Sequence, residues 1–157
     1  MSKTKKKKIT TTKTYKFTTS EAMDSSNIMA EFNYKLLKKF KKAKRYGYPG
    51  DIYPEADTPE KWETLIDQFI KTFKRIRNDF DDSPINKALN KLYKEHPEYL
   101  EIKGIKQKDG TYIESPAKKE LLSKYVTQKV IEKDKKYYQK INNNLQLFGK
   151  YFLHFWE

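Results

Sequence analysis

The 157-residue sequence contains no cysteine. Disulfide bonds, thiolate catalysis and cysteine-ligated zinc are therefore excluded. No apolar run approaches the roughly 20 residues that a membrane-spanning helix needs, and no apolar stretch follows the basic N-terminus as it would in a signal peptide. We therefore expect a protein without membrane contact, and the lack of cysteine is consistent with a reducing cytoplasm.

The sequence also lacks the motifs of the common catalytic sites. Its five glycines are scattered and do not form a phosphate-binding loop. His96 and His154 have no partner at metal-ligand spacing, and no base stands ready to activate a Ser or Thr nucleophile. The sequence therefore predicts a protein that is not an enzyme, with no catalytic residues, no cofactor and no metal.

One acidic cluster, Asp79, Asp81 and Asp82, offers two interpretations. Grouped carboxylates are typical ligands of Mg²⁺. The same residues stand directly before Ser83-Pro84, where a solvated acidic turn would cap the following helix. We favour the acidic turn.

Acidic residues are few compared with basic ones. The chain has 34 Lys and Arg against 21 Asp and Glu, which gives a net charge of +13. Aromatic residues nevertheless make up 15% of the chain, and they are scarce in disordered proteins. Because each aromatic side chain buries a large area, we expect a folded domain with a thin aromatic core.

The first 19 residues form a basic arm with seven Lys and no acidic residue. Tyr15 and Phe17 alternate as in a short strand, but a mobile tail fits the composition better. We predict that residues 20–157 form a single helical domain.

Three helices are predicted in the first hundred residues. The first runs from about Ser20 to Tyr46, with an apolar stripe at helical spacing: Ile28, Met29, Phe32, Leu36, Leu37, Phe40 and Ala43. The second and third each begin with a capping residue followed by proline, Thr58-Pro59 and Ser83-Pro84. They end near Asn78 and His96.

The remainder predicts a β-hairpin at 99–114, because Asp109-Gly110 is typical of a two-residue turn. Ser115-Pro116 then begins a helical pattern that continues to the end of the chain. It fits one helix of about 40 residues, or two with a kink near residue 142. The predicted fold is mainly α: a small bundle of three to five helices with a long C-terminal helix, one hairpin and the basic arm.

Basic residues give the clearest candidate site. A run on the first helix places +7 within residues 35–45, and a second run lies in the arm. The candidate basic surface comprises Lys5, Lys6, Lys7, Lys8, Lys35, Lys38, Lys39, Lys41, Lys42, Lys44 and Arg45. Such a run is either a partner-binding surface or a solvated helix face, and an excess of Lys is also common in proteins from AT-rich genomes.

Three neighbouring tyrosines, Tyr46, Tyr48 and Tyr53, are candidates for stacking on unpaired bases, or for sealing the loop that carries them. Only three of the 34 basic residues are Arg. This argues against base readout, where bidentate Arg is preferred.

Two segments resemble a family of small uncharacterised accessory proteins of bacteriophages and prophages of Gram-positive bacteria. They are residues 27–76, which include Gly47-Tyr48-Pro49 and Trp62, and residues 141–157, "INNNLQLFGKYFLHFWE". The shared motifs are helix-packing motifs, and the resemblance transfers no functional residue. It implies an origin in a phage and a place of action in the host bacterial cytoplasm.

Two functions fit these observations. The first is a stoichiometric inhibitor, anti-CRISPR-like, that binds a host bacterial protein or nucleoprotein complex through its basic surfaces. The alternative is direct, sequence-independent binding of DNA or RNA. The oligomeric state stays open, because "FLHFW" near the C-terminus fits either the core or a dimer surface.

Overall fold

The computed structural model describes Thr19 and residues 24–43, 47–49 and 54–155. In this part the chain is a small, mainly α bundle with one hairpin, as predicted. Its helices are α1 (Ser25–Lys42), α2 (Pro59–Arg77), α3 (Pro84–Glu95), α4 (Pro116–Tyr125) and α5 (Gln128–Tyr151), and its strands are β1 (Ile105–Lys106) and β2 (Tyr112–Ile113). Short 3-10 helices cover Pro54–Ala56, Pro97–Leu100 and Phe152–Phe155.

Several predictions fall outside the described residues. They concern the arm up to residue 18, the start of the first helix at residues 20–23, and the side chain of His154. The candidate residues Lys5, Lys6, Lys7, Lys8, Lys44, Arg45, Tyr46 and Tyr53 also lie outside them.

The predicted cap-and-proline starts are confirmed. The side chain of Thr58 accepts from the backbone N–H of Lys61 at 3.2 Å, and Ser83 and Ser115 cap α3 and α4 in the same way. In each helix proline occupies the first turn, where its missing N–H removes no hydrogen bond. These local signals fix where three of the helices begin.

Helix α1 lies antiparallel to α2. At one end the Asn27 amide donates to Asp79 at 2.9 Å, and at the other Lys41 forms an ion pair with Asp67. Between them Arg77 donates to Glu31 at 2.8 Å. The first helix ends at Lys42 rather than at the predicted Tyr46, because Ala43 leaves the helix with an extended backbone.

The predicted apolar stripe of the first helix is only partly buried. The buried face of α1 consists of Ala30, Asn33 and Leu37, which follow one another at helical spacing. Met29 and Phe32, predicted to face the core, are 58% and 51% exposed. Leu37 belongs to the predicted stripe and is buried, but the small side chain of Ala30 and the polar side chain of Asn33 complete the contact face. The buried face is therefore rotated from the stripe that hydrophobicity alone indicated.

The aromatic core joins α2 to the C-terminus. Trp62 stacks on Phe155 with ring centroids 5.3 Å apart, and it also contacts Tyr151 and Phe40. Phe73 meets Phe148 edge-on at 4.8 Å. The sequence "FLHF" is therefore divided: Phe155 packs against the core, whereas Leu153 is 73% exposed.

Two helices, α4 and α5, follow Ser115, and the break between them lies at Val126-Thr127 rather than near residue 142. The side chain of Thr127 caps α5 by accepting from the N–H of Val130. Helix α5 continues through Asn142 and Asn143 without a break. Asn144 is buried and donates to the Thr72 hydroxyl at 2.9 Å, which ties this weak helix former into the bundle.

The hairpin is shorter than predicted. Residues 97–100 form a 3-10 helix, and the paired strands begin only at Ile105, opposite Ile113. The turn is also longer than the predicted two residues. Gly110 has a φ of +87°, and the N–H of Gln107 donates to the carbonyl of Thr111, so three residues separate this pair.

Candidate functional site

Five of the predicted basic residues are described, and all five lie exposed on α1. Lys35 pairs with Glu31 at 2.6 Å, one helical turn away, and Lys41 pairs with Asp67 of α2. The hydrogen bond from Lys35 holds the pKa of Glu31 below its usual value. Lys41 is therefore turned toward the α1–α2 seam and is the least available of the five for a partner.

Lys38 is positioned by an aromatic ring. Its ammonium lies 5.1 Å from the centroid of the Tyr34 ring and 3.4 Å from the Tyr34 hydroxyl. The guanidinium of Arg77 also lies over this ring, 4.5 Å from its centroid. The Tyr34 ring thus contacts two cations: Lys38, which is exposed on α1, and Arg77, which lies between α1 and α2.

Lys39 and Lys42 have no acidic partner among the described residues. Helical spacing places Lys35, Lys38, Lys39 and Lys42 on one solvent-facing side of α1, opposite the buried Ala30 and Leu37. We call these four residues the lysine face. A negatively charged surface that meets this face would neutralise several cations at once.

An apolar groove runs beside the lysine face. It has a volume of about 240 Å³ and lies between the C-terminal half of α1 and the end of the chain. Its lining residues are Leu36, Leu37, Lys39, Phe40, Ala43, Phe148, Phe152 and Phe155. Lys39 therefore belongs to both features, and it brings a cation to the wall of an otherwise apolar groove.

Sequence reasoning missed the groove because it joins residues more than 100 positions apart. A signal was nevertheless present in the first helix, whose apolar residues cover more of its circumference than one buried face requires. Met29 and Phe32 are exposed apolar residues on the side of α1 that faces the groove, and they extend this apolar side toward the start of the helix.

The predicted stacking site is described only at Tyr48. This residue is 45% exposed in a segment of irregular structure. Because its two predicted partners lie outside the described residues, stacking stays a prediction.

The acidic cluster has structural partners. Asp82 accepts hydrogen bonds from Tyr137 and from the Arg75 guanidinium, the latter at 3.0 Å. Burial opposes ionisation of Asp82, but these two hydrogen bonds outweigh it and lower its pKa. Within the described part of the chain, no group of three or more His, Asp or Glu residues is arranged to hold a metal ion.

None of the helices in the described ranges is both long and apolar enough to cross a membrane.

No protein-family model matches the chain, and no curated protein or solved structure shows significant similarity to it. Its function must therefore be inferred from the surface that its own residues build.

Proposed function

We propose that this protein is a non-enzymatic binding protein that uses the lysine face of α1 to engage a negatively charged surface. The observation that carries this proposal is the placement of Lys38, Lys39 and Lys42 together on one exposed side of a helix that packs against α2. The described part of the chain supplies no carboxylate to pair with Lys39 or Lys42. Unpaired like charges on one face repel each other, so a partner that neutralises them gains that energy.

We further propose that the partner is a host defence nucleoprotein complex and that the protein inhibits it stoichiometrically, in the manner of an anti-CRISPR protein. The small size, the excess of positive charge and the resemblance to phage accessory proteins support this role. Such an inhibitor would act in the cytoplasm of the host bacterium. Its positive surface would compete for the negatively charged groove or nucleic acid of the complex.

Direct binding of nucleic acid is the second candidate, and the same lysines support it. Ammonium groups on a helix contact phosphates without reading base edges, so binding would be independent of sequence. Both candidate functions use the lysine face. They differ in whether the partner also covers the apolar groove beside it.

The inhibitor proposal is tested by titrating the full chain into purified CRISPR effector complexes, one effector type at a time, and measuring target cleavage. We expect that one effector type loses cleavage with an end point near one molecule of inhibitor per complex. A triple variant, Lys38→Glu, Lys39→Glu and Lys42→Glu, should not inhibit that effector. The matched control is Lys135→Glu, Lys136→Glu and Lys140→Glu, which makes the same charge change at exposed positions of α5 and should inhibit normally.

Equal inhibition by both triple variants would contradict the role of the lysine face. Inhibition of cleavage only by a large molar excess, reversed by added competitor DNA, would favour the nucleic-acid candidate. Circular dichroism of both variants checks that their helix content matches that of the wild type.

A further inference from the structure

The uncovered apolar side of α1 is continuous with the groove. Met29 and Phe32 are more than half exposed, and Leu36 and Ala43 follow them on the same side of the helix and line the groove. From Met29 to Ala43 the stripe is about 21 Å long at the rise of an α-helix. We call these four residues and the groove the apolar track.

The groove fits amino-acid side chains better than a small-molecule ligand. Its volume of about 240 Å³ lies below the roughly 300–1,000 Å³ of typical small-molecule sites. Its walls are aliphatic and aromatic, and Lys39 is the one charged residue among the described residues that line it. One or two large apolar side chains would fill such a space.

The positive charge beside the apolar track favours some binding partners over others. Lys39 and Lys42 lie along one edge of the track, next to Lys35, which pairs with Glu31. A covering segment would therefore place its flanking residues beside at least two cations that have no acidic partner among the described residues. A second copy of this chain, docked face to face, would bring these lysines against their own counterparts. An acidic segment would instead pair with them.

Nucleic acid would leave most of the track uncovered. A phosphate backbone pairs with the lysines but offers no apolar surface to cover Met29, Phe32 and Leu36. Single strands can stack bases on exposed aromatic faces such as those of Phe32 and Phe152, but Met29 and Leu36 offer no stacking surface.

We propose that the apolar track docks an acidic amphipathic helix of a partner protein, about four turns long, with large apolar side chains seated in the groove and carboxylates beside the lysine face. Helices that bind grooves in this way present anchors at spacings of three, four and seven residues. This inference rests on the proposed function and specifies the chemistry of its protein partner. It makes the track the source of affinity and the lysine face the source of orientation.

The test is selection of helical peptides from a displayed library against the immobilised full-length protein. We expect the selected peptides to carry Glu or Asp together with Leu, Ile or Phe at helical spacing. The decisive variant is Ala43→Trp, which fills the groove from an exposed position without removing a core side chain. It should weaken binding of the selected peptides by at least about ten-fold, as expected when an anchor loses its pocket.

A second variant, Phe32→Ser, tests the other end of the track at a half-exposed position and should weaken the same peptides. Its matched control is Leu100→Ser, which removes an apolar side chain that is 67% exposed on the 3-10 helix before the hairpin. This control should bind as the wild type does. Peptides that bind Ala43→Trp and Phe32→Ser as tightly as the wild type would overturn the inference.

Two further outcomes would also overturn it. Sedimentation of the wild type as a dimer that Ala43→Trp dissociates would assign the track to a second copy. Selected peptides without acidic residues, unaffected by Lys39→Glu, would remove the charge selection. The proposed function would be wrong if the lysine triple variant retained its partner. If that variant lost the partner and Ala43→Trp retained it, the proposed function would stand and the helix-docking inference would be wrong.

Discussion

Asn144 and Thr72 form a hydrogen bond in the interior between α5 and α2, where both residues are buried. A buried polar atom that loses its partner keeps its desolvation cost. We therefore expect Asn144→Ala to lower the free energy of unfolding by about 1–3 kcal/mol. Chemical denaturation measures the loss.

The adjacent Asn143 is exposed and provides the matched control. Asn143→Ala should change stability by less than about 0.5 kcal/mol, as surface substitutions usually do. The double variant Thr72→Val, Asn144→Leu removes both polar groups and should recover much of the loss. Equal effects of Asn143→Ala and Asn144→Ala would contradict the importance of the hydrogen bond.

Ionisation of Tyr137 lowers the free energy of unfolding at alkaline pH. Burial, followed by the hydrogen bond to Asp82, raises the pKa of Tyr137 well above its usual value near 10. The raised pKa favours the protonated form in the folded state, so this stabilisation is complete below pH 10 and is lost as the pH rises above it. Urea denaturation at pH 8 to 11 should show the decline.

Tyr137→Phe should abolish this part of the decline, and it should also cost about 1–2 kcal/mol at neutral pH because Asp82 loses a donor. Tyr112→Phe, at a hairpin position that is 68% exposed, should follow the wild-type curve. A Tyr137→Phe variant that declines above pH 10 as steeply as the wild type would show that other groups cause the decline.

At the scale of elements, α5 holds the beginning of α3. The buried carboxylate of Asp134 accepts from the backbone N–H of Ile85 at 3.1 Å, in the first turn of α3. That N–H has no partner within its own helix, and the helix dipole favours a negative charge there. We expect Asp134→Ala to destabilise the protein by about 1–2 kcal/mol and to increase amide hydrogen exchange at Ile85.

Glu132→Ala provides the control, because Glu132 is an exposed acid on the same helix. It should leave exchange at Ile85 unchanged. Slow exchange at Ile85 in Asp134→Ala would show that α3 keeps its first turn without the carboxylate.

The elements that the sequence predicted well are those with local signals. Thr58, Ser83 and Ser115 each cap a helix through contacts within three residues, so the pattern and the structure agree. The break at Thr127 has the same kind of cap without the following proline, and Val126 fitted the apolar spacing of a continuous helix, which concealed it.

Tertiary contacts explain the remaining differences between the predicted and the observed structure. Asp134 and Asn144 are polar residues within the helical pattern that follows Ser115, and only their partners on α3 and α2 account for their burial. On α1 the apolar pattern is wider than one contact face. The packing of α2 against α1 determines which side of α1 is buried. The groove lies on the apolar side of α1 that α2 leaves exposed. The lysine face was predictable because it depends on helical spacing alone.

At the scale of the whole molecule, the excess of positive charge makes salt the natural probe of binding. A protein that contacts duplex DNA through four lysines should lose roughly 10²-fold in affinity between 50 and 200 mM salt. A protein partner that also covers the apolar track should lose less, because burial of apolar surface is insensitive to salt in this range. We expect the shallower dependence for the partner complex, measured by interferometry across a salt series.

Lys42→Gln, which leaves the other residues of the lysine face in place, should flatten this salt dependence further, whereas Ala43→Trp should lower affinity without changing the slope. A slope as steep as that for duplex DNA would favour the nucleic-acid candidate.

The most direct measurement is quantitative capture of proteins from a bacterial lysate by the tagged full-length chain, after nuclease treatment, compared between the wild type and the two lysine triple variants. We predict one protein complex that the wild type and the α5 control both retain after nuclease, and that the variant with Lys38, Lys39 and Lys42 changed to Glu does not retain. Loss of every partner on nuclease treatment, or equal capture by all three proteins, would contradict the account.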